Sequence, residues 1–323
     1  MDSVTQVALG AAIGDVVGGE QTQKKGMLWG AVAGLIPDLD VLFQPLFIQS
    51  EYLLFHRGIS HSVLFTTLLA PLLAWGVFLI YKKKVLSFKR WWLIIFLGLF
   101  THPLLDIMTI YGTGFFEPFS NARLAAGTIS IVDPLYSLPL FIPLIVRIIK
   151  KHSHKIQRGV AICLIASNLY LLLTLFNGIY MNNIFKQNLK DQGIKYSKMM
   201  SAPSFLNNIL WYGIAIDKDH AWYGLYSHFD SNKKITFKKV KRNKFLATKL
   251  TAEDFKNLAQ FSKGYYILQK TEKGVIFNDL RFGFTGKDNF VFNFMAKNPE
   301  QRPFGTSINK DDLNQFFKRI FGK

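Results

Sequence analysis

The sequence predicts a polytopic α-helical membrane domain of about four to six helices, followed by a small α+β domain outside the membrane. Three observations predict it. Three apolar runs, 63–81, 91–111 and 159–181, each reach the roughly 20 residues needed to cross a bilayer. The short loops between apolar runs are either strongly basic or nearly uncharged. From residue 182 the long apolar runs give way to short alternating stretches separated by Gly, Asn, Asp or Lys, the pattern of strands. Half of the 323 residues are hydrophobic and 30 are Phe, a composition normal for a membrane protein and unusual for a soluble one.

The first two apolar stretches, 4–19 and 26–43, are short and rich in Gly and Ala. Small residues let helices approach closely, so this pair reads as a tightly packed or re-entrant hairpin. The runs 63–81 and 91–111 follow, and then 129–149, where Pro134, Pro139 and Pro143 predict a kink. The run 159–181 is the sixth. The N-terminus lacks a basic n-region and a small-residue cleavage site, so the first stretch is expected to stay in the mature chain. "KKKVLSFKR" (82–90) and "RIIKKHSHKIQR" (147–158) are strongly basic and "QTQKK" (21–25) mildly so, whereas the loops near 44–62 and 112–128 carry one arginine each. The positive-inside rule places the basic loops in the cytoplasm of a bacterial plasma-membrane protein, and the other loops and the tail on the outer side.

Three regions follow: a membrane domain over 1–181, a linker or helical extension over 182–219, and a basic α+β domain over 220–323. "HAWYGLYSHF" (220–229), "KKITFKKVK" (233–241), "GYYILQK" (264–270), "GVIFNDLRFGF" (274–284) and "NFVFNFMA" (289–296) predict strands. "TAEDFKNLAQFS" (251–262) opens like a capped helix, and "NKDDLNQFFKRIFG" (309–322) reads as a closing amphipathic one. The formal net charge is +18; residues 182–323 hold 25 Lys and Arg against 12 Asp and Glu, and residues 1–181 hold 14 against 9. A basic tail suits an anionic membrane surface or nucleic acid, or is simply a lysine-rich solvated face. No nucleic-acid motif accompanies it, so membrane lipids are the expected partner. Cys163 is the single cysteine, which excludes a disulfide framework and a cysteine-based zinc site.

The polar residues of the membrane half are few: Asp38 and Asp40 in "PDLD", His56, Arg57 and His61 in "HRGISH", His102 and Asp106 in "THPLLD", and Asp133. On the topology above all fall in the outer half. Each alone has a plain structural reading: an interfacial histidine, a helix stop with an Asx turn, a hydrogen-bond network. The HxxxD pair is harder to set aside, because both side chains share one helix face and ionisable groups in membrane segments are costly and usually functional. As a set they suit Zn²⁺, Mn²⁺ or a similar divalent ion. His56 and His61 cannot face one point from a regular helix, but Gly58 permits a bend. Either both are ligands, or one is a ligand and the other supports it. Arg57 is a candidate phosphate clamp, and Ser62 a cap for the next helix.

"MDSVTQVALGAAIG", "PDLD", "HRGISHS", "THPLLD" followed by "YGT", and "IVDPLYSLP" together resemble the bacterial membrane-bound metal-dependent hydrolases, the YdjM-like proteins. "SAPSFLNNILWYGIAID" (201–217) resembles their longer members, and "DLRFG" (279–283) extends the likeness into the tail. The resemblance implies a divalent metal, Zn²⁺ first and Mn²⁺ or Mg²⁺ next, held by residues among Asp2, Asp38, His56, His61, His102 and Asp106. Asp40 or Asp133 would take a proton from water and Arg57 would bind the substrate. Through a distant similarity of that family to zinc-dependent phospholipase C, the implied substrate is the phosphoester of a lipid or lipid-linked molecule at the outer face. Arg123 and Arg281 would assist with an anionic headgroup. One position departs from the family pattern: Gln6 stands where a histidine is usual. The rival expectations are a non-catalytic, metal-stabilised scaffold and a cation or proton transporter, the latter without the internal repeats common in transporters.

Overall fold

The computed structural model describes residues 1–81, 84–150, 153–272, 274–285, 289–295 and 310–322. Parts of both basic loops (82–83 and 151–152), residue 296 of the fifth expected strand and residue 309 of the closing helix lie outside the described residues. The chain divides into two compact units: Met1–Leu46 with Phe55–Leu175, and Phe47–Leu54 with Phe176–Lys323.

The first unit is helical. Asp2 caps α1 (Ser3–Gly18) by accepting from the Thr5 amide, and α2 (Lys25–Leu35) returns antiparallel to it. A β-carbon on Gly14 would fall 2.0 Å from the Gly26 carbonyl oxygen, and one on Gly30 2.1 Å from that of Gly10. Glycine at every fourth position therefore lets the two backbones touch, as the expected hairpin required. A 3-10 segment, Ile36–Leu46, continues α2 and carries "PDLD". Ser62 caps α4 (Val63–Tyr81) by accepting from the Phe65 amide, and α5 (Phe88–Ile107) packs on α4 through Ala70, Ala74, Trp91 and Ile94. The fifth apolar run becomes helical only at α6 (Pro134–Ile149), because Asp133 caps it and Pro134 occupies the first turn; Pro139 and Pro143 lie inside that helix. A buried ion pair joins α1 to α6: Arg147 Nε donates to Asp15 Oδ1 at 3.0 Å. Among the described residues, four segments can by length and composition cross a membrane, Lys25–Leu46, Val63–Tyr81, Phe88–Ile107 and α7 (His154–Asp191), with Ser3–Gly18 and Pro134–Ile149 as shorter apolar helices.

The second unit contains α3 (Gln49–Phe55) up to Leu54 and the end of α7. Four antiparallel strands follow in sequence order: β1 (Lys198–Pro203), β2 (Leu210–Ile216), β3 (His220–Ser227) and β4 (Lys238–Lys241). A second sheet holds β5 (Tyr266–Thr271), β6 (Gly274–Thr285) and β7 (Asn289–Met295), with α8 (Ala252–Phe261) before it and α9 (Lys310–Ile320) after it. The region expected as a linker, 182–219, instead ends in two strands. "LWYGIAI" is buried at every position and so lacks the alternation that reveals a strand from sequence. Of the basic stretch 233–241 only Lys238–Lys241 pairs.

Candidate metal centre

Three local structures aim side chains at one point in the first unit. The 3-10 segment after α2 turns Asp38 and Asp40 inward, a 3-10 turn (Ile59–His61) presents His61, and α5 presents His102 and Asp106 one turn apart. Asp38, His61, His102 and Asp106 are all buried, and one ligand atom from each lies within 4.8 Å of every other. His61 Nε2 sits 3.4 Å from Asp38 Oδ1 and 3.3 Å from Asp106 Oδ2; His102 Nε2 sits 3.4 and 3.6 Å from the same atoms.

The tautomers follow from the partners. His102 Nδ1 donates to the Gly34 carbonyl at 2.7 Å. Ser60 Oγ donates to Asp40 Oδ2 at 2.9 Å and therefore accepts from His61 Nδ1, also at 2.9 Å. Both Nε2 lone pairs are thus turned inward, and the two nitrogens are 3.1 Å apart. Among the described residues Asp106 Oδ2 accepts no hydrogen bond, although the Arg57 guanidinium stands beside it. Two imidazole nitrogens and two carboxylate oxygens thus converge in a buried space with lone pairs turned toward one another. This donor set fits a divalent cation of the zinc or manganese type.

The remaining expected residues occupy other places. Asp40 joins the loop 56–61 together: it accepts from His56 Nδ1 at 2.8 Å, from the Arg57 amide at 3.1 Å and from Ser60. His56 lies outside the four-residue group, its ring edge-on to His61 at 5.9 Å, and burial holds its imidazole below the ordinary range against the pull of Asp40. Arg57 has φ +59°, a left-handed conformation uncommon for a side chain of its size. Its Nε pairs with Asp106 Oδ2 at 3.2 Å, Nη1 donates to Thr109 Oγ1, Nη2 donates to the Met1 carbonyl, and the guanidinium stacks on Tyr111. The guanidinium expected to clamp a phosphate is therefore held by protein groups. Asp2 acts as the α1 cap, accepting from Thr5 N and Oγ1, and Asp133 as the α6 cap, accepting from Leu135 N and Tyr170 OH. Neither belongs to the four-residue group.

Arg123 donates to the His56 and Gly112 carbonyls, bracing the loop that carries the site. Arg281 is buried in the second unit, paired with Asp279 at 2.6 Å, and does not offer its guanidinium to a headgroup from the surface. Gln6 supports the centre from α1: its Nε2 donates to the His102 carbonyl and to Asp106 Oδ1, both at 3.1 Å, while its buried Oε1 has no hydrogen-bond partner. The amino group of Met1 also contacts Asp106 Oδ1. Ser3, whose hydroxyl donates to Asp38 Oδ2 at 2.5 Å, carried no sequence signal, because one serine at a helix start is indistinguishable from a cap.

Comparison with known proteins agrees with this architecture. Inner membrane protein YbcI of Escherichia coli (strain K12) is 30% identical over 125 residues, 38% of this chain and 70% of that protein. No solved structure matches the chain. The pattern of the YdjM inner membrane protein family matches residues 1–181, the span that holds both halves of the HxxxD pair, "PDLD" and the 56–61 loop. That match exceeds half of the chain, and the chain belongs to the YdjM inner membrane protein family.

Proposed function

We propose that this protein is a membrane-embedded, metal-dependent hydrolase acting on a phosphoester of a lipid or lipid-linked substrate at the outer face of the membrane. The observation that carries the reading is the buried group Asp38, His61, His102 and Asp106, with its ligand atoms within 4.8 Å. A divalent ion held there would polarise a phosphoryl oxygen and acidify water. The chain's own residues fill the other roles. Asp40 and Gly34 fix the two imidazoles, Arg57 and Gln6 hold Asp106, and His56, tied through Nδ1 to Asp40, is placed beside the centre to accept a proton. Of the histidines at the site only His56 is partly exposed, its side chain at 21%. The outer placement rests on the basic loops 82–90 and 147–158 marking the opposite, cytoplasmic side.

The test is elemental analysis of detergent-purified wild type beside His102→Ala, followed by hydrolysis assays on phospholipid and lipid-linked phosphate. One or more equivalents of Zn or Mn in the wild type, lost in the variant together with turnover, is the expected result. A wild type that takes up neither ion when supplied ends the hydrolase reading. One observation favours the second reading, a non-catalytic scaffold. The Arg57 guanidinium and the Met1 amino group already lie against Asp106, so the network holds positive charge of its own without a metal.

A further inference from the structure

The loop 112–128 joins α5 to α6, and its expected place was in the water outside the membrane. Its contacts put it deeper. The Phe115 carbonyl accepts from the amide of Val63, the first residue of the membrane-crossing α4, at 2.9 Å. The Phe115 ring lies 6.1 Å from that of Phe100, which is seven residues before the end of α5. At 1.5 Å per residue that is about 10 Å below the end of the helix.

Large apolar side chains are exposed on this loop and on the segment that supplies Asp38. Phe119 is 80% exposed and Phe116 47%; on the 3-10 segment that supplies Asp38, Leu42 is 71% and Leu46 76% exposed. The polar Ser120 and Asn121 follow directly, both exposed. The loop backbone is also provided for. The Glu117 amide donates to the Gly114 carbonyl, the Phe119 and Ser120 amides to Phe116, the Gly114 amide to Arg57, and Thr113 and Leu124 exchange both bonds. Irregular backbone is excluded from lipid where its polar groups go unsatisfied, and the groups just named are bonded within the protein. The Glu117 carboxylate is turned inward, against Gly58 and Gly114, where a β-carbon on either would come within 3 Å of it.

We propose that the lip of the metal centre, the loop tip carrying Phe116 and Phe119 beside Arg57, is inserted into the lipid leaflet at the boundary of acyl chains and headgroups. An apolar cluster followed by polar residues matches that boundary, and the occupant is the bilayer because the same loop is hydrogen-bonded to the start of one membrane helix and packed on the flank of another. A lipid headgroup then lies against the lip without leaving its leaflet. What is done to that headgroup rests on the hydrolase reading; the insertion itself does not.

The experiment reads insertion without catalysis, so the two can fail separately. The full chain carrying Cys163→Ser and Phe119→Cys is labelled with an environment-sensitive fluorophore and reconstituted into phosphatidylcholine–phosphatidylglycerol vesicles. Quenching by lipid spin-labelled near the headgroup end of its acyl chain is compared with quenching by aqueous iodide. At least threefold stronger quenching by the spin-labelled lipid is expected. Stronger quenching by iodide overturns the proposal, and so does protection from both, which would mean that protein covers the lip. Phe116→Cys in the same background repeats the measurement on the same loop should Phe119→Cys fail to fold, and the same outcomes decide it.

Discussion

At the residue scale, the four inward-facing side chains of the candidate centre depend on the neighbours that orient them. Asp40 sets the His61 tautomer through Ser60 and anchors His56 and Arg57, so Asp40→Asn is expected to weaken metal affinity about 10- to 100-fold while the four ligands stay in place. Equilibrium titration with Zn²⁺ checks this. His56→Ala separates ligand from proton acceptor: metal content should match wild type while turnover falls at least about 100-fold. Loss of the metal in that variant would return His56 to the ligand set. Arg57→Ala leaves the buried Asp106 carboxylate without its guanidinium, a loss that costs about 3–5 kcal/mol in comparable buried pairs and is readable as a drop in melting temperature.

At the element scale, the glycine seam of α1 and α2 holds the first unit together as much as its apolar core does. Gly14→Ala forces a methyl group into the Gly26 carbonyl and is expected to cost about 2–3 kcal/mol or prevent folding. Gly76, half-buried in the later part of α4, has nothing within 4 Å of its missing β-carbon among the described residues, and Gly76→Ala should gain up to about 1 kcal/mol. Thermal melting of the two variants in one detergent makes the contrast. The long α7 works by length. Its 38 residues span about 57 Å, nearly twice the roughly 30 Å hydrocarbon thickness, so one helix serves both units. Its C-terminal end carries Phe185 in the second unit, where the ring fills the space left by Gly213.

At the scale of the whole molecule, an ion held at the candidate centre would tie together segments far apart in the chain: residue 38 after α2, residue 61 before α4, and residues 102 and 106 on α5. Metal should therefore stabilise the first unit by mass action, by about 4 kcal/mol at a free concentration 1,000 times its dissociation constant. Chelation should lower the melting temperature of the wild type and leave that of His102→Ala unchanged. Equal melting temperatures with and without metal would show that the site adds nothing to the fold.

The sequence by itself determined the class of the molecule, because a bilayer demands long apolar runs and a half-buried strand demands alternation, and both are local patterns. It also marked His102 and Asp106 as partners, since four residues of helix bring them onto one face. Tertiary structure alone decided which polar residues meet. Asp2, Asp38, Asp40 and Asp133 look alike in one dimension, yet Asp2 and Asp133 cap helices, Asp40 orients histidines and Asp38 faces the centre. Arg57 shows the same limit: an arginine between two histidines reads as a substrate clamp, but a left-handed backbone turns it onto Asp106. The caps are local, but the inward turn of Asp38, Asp40 and Arg57 arises from where loops fold back on helices, and such contacts between residues tens of positions apart leave no periodic trace in the chain.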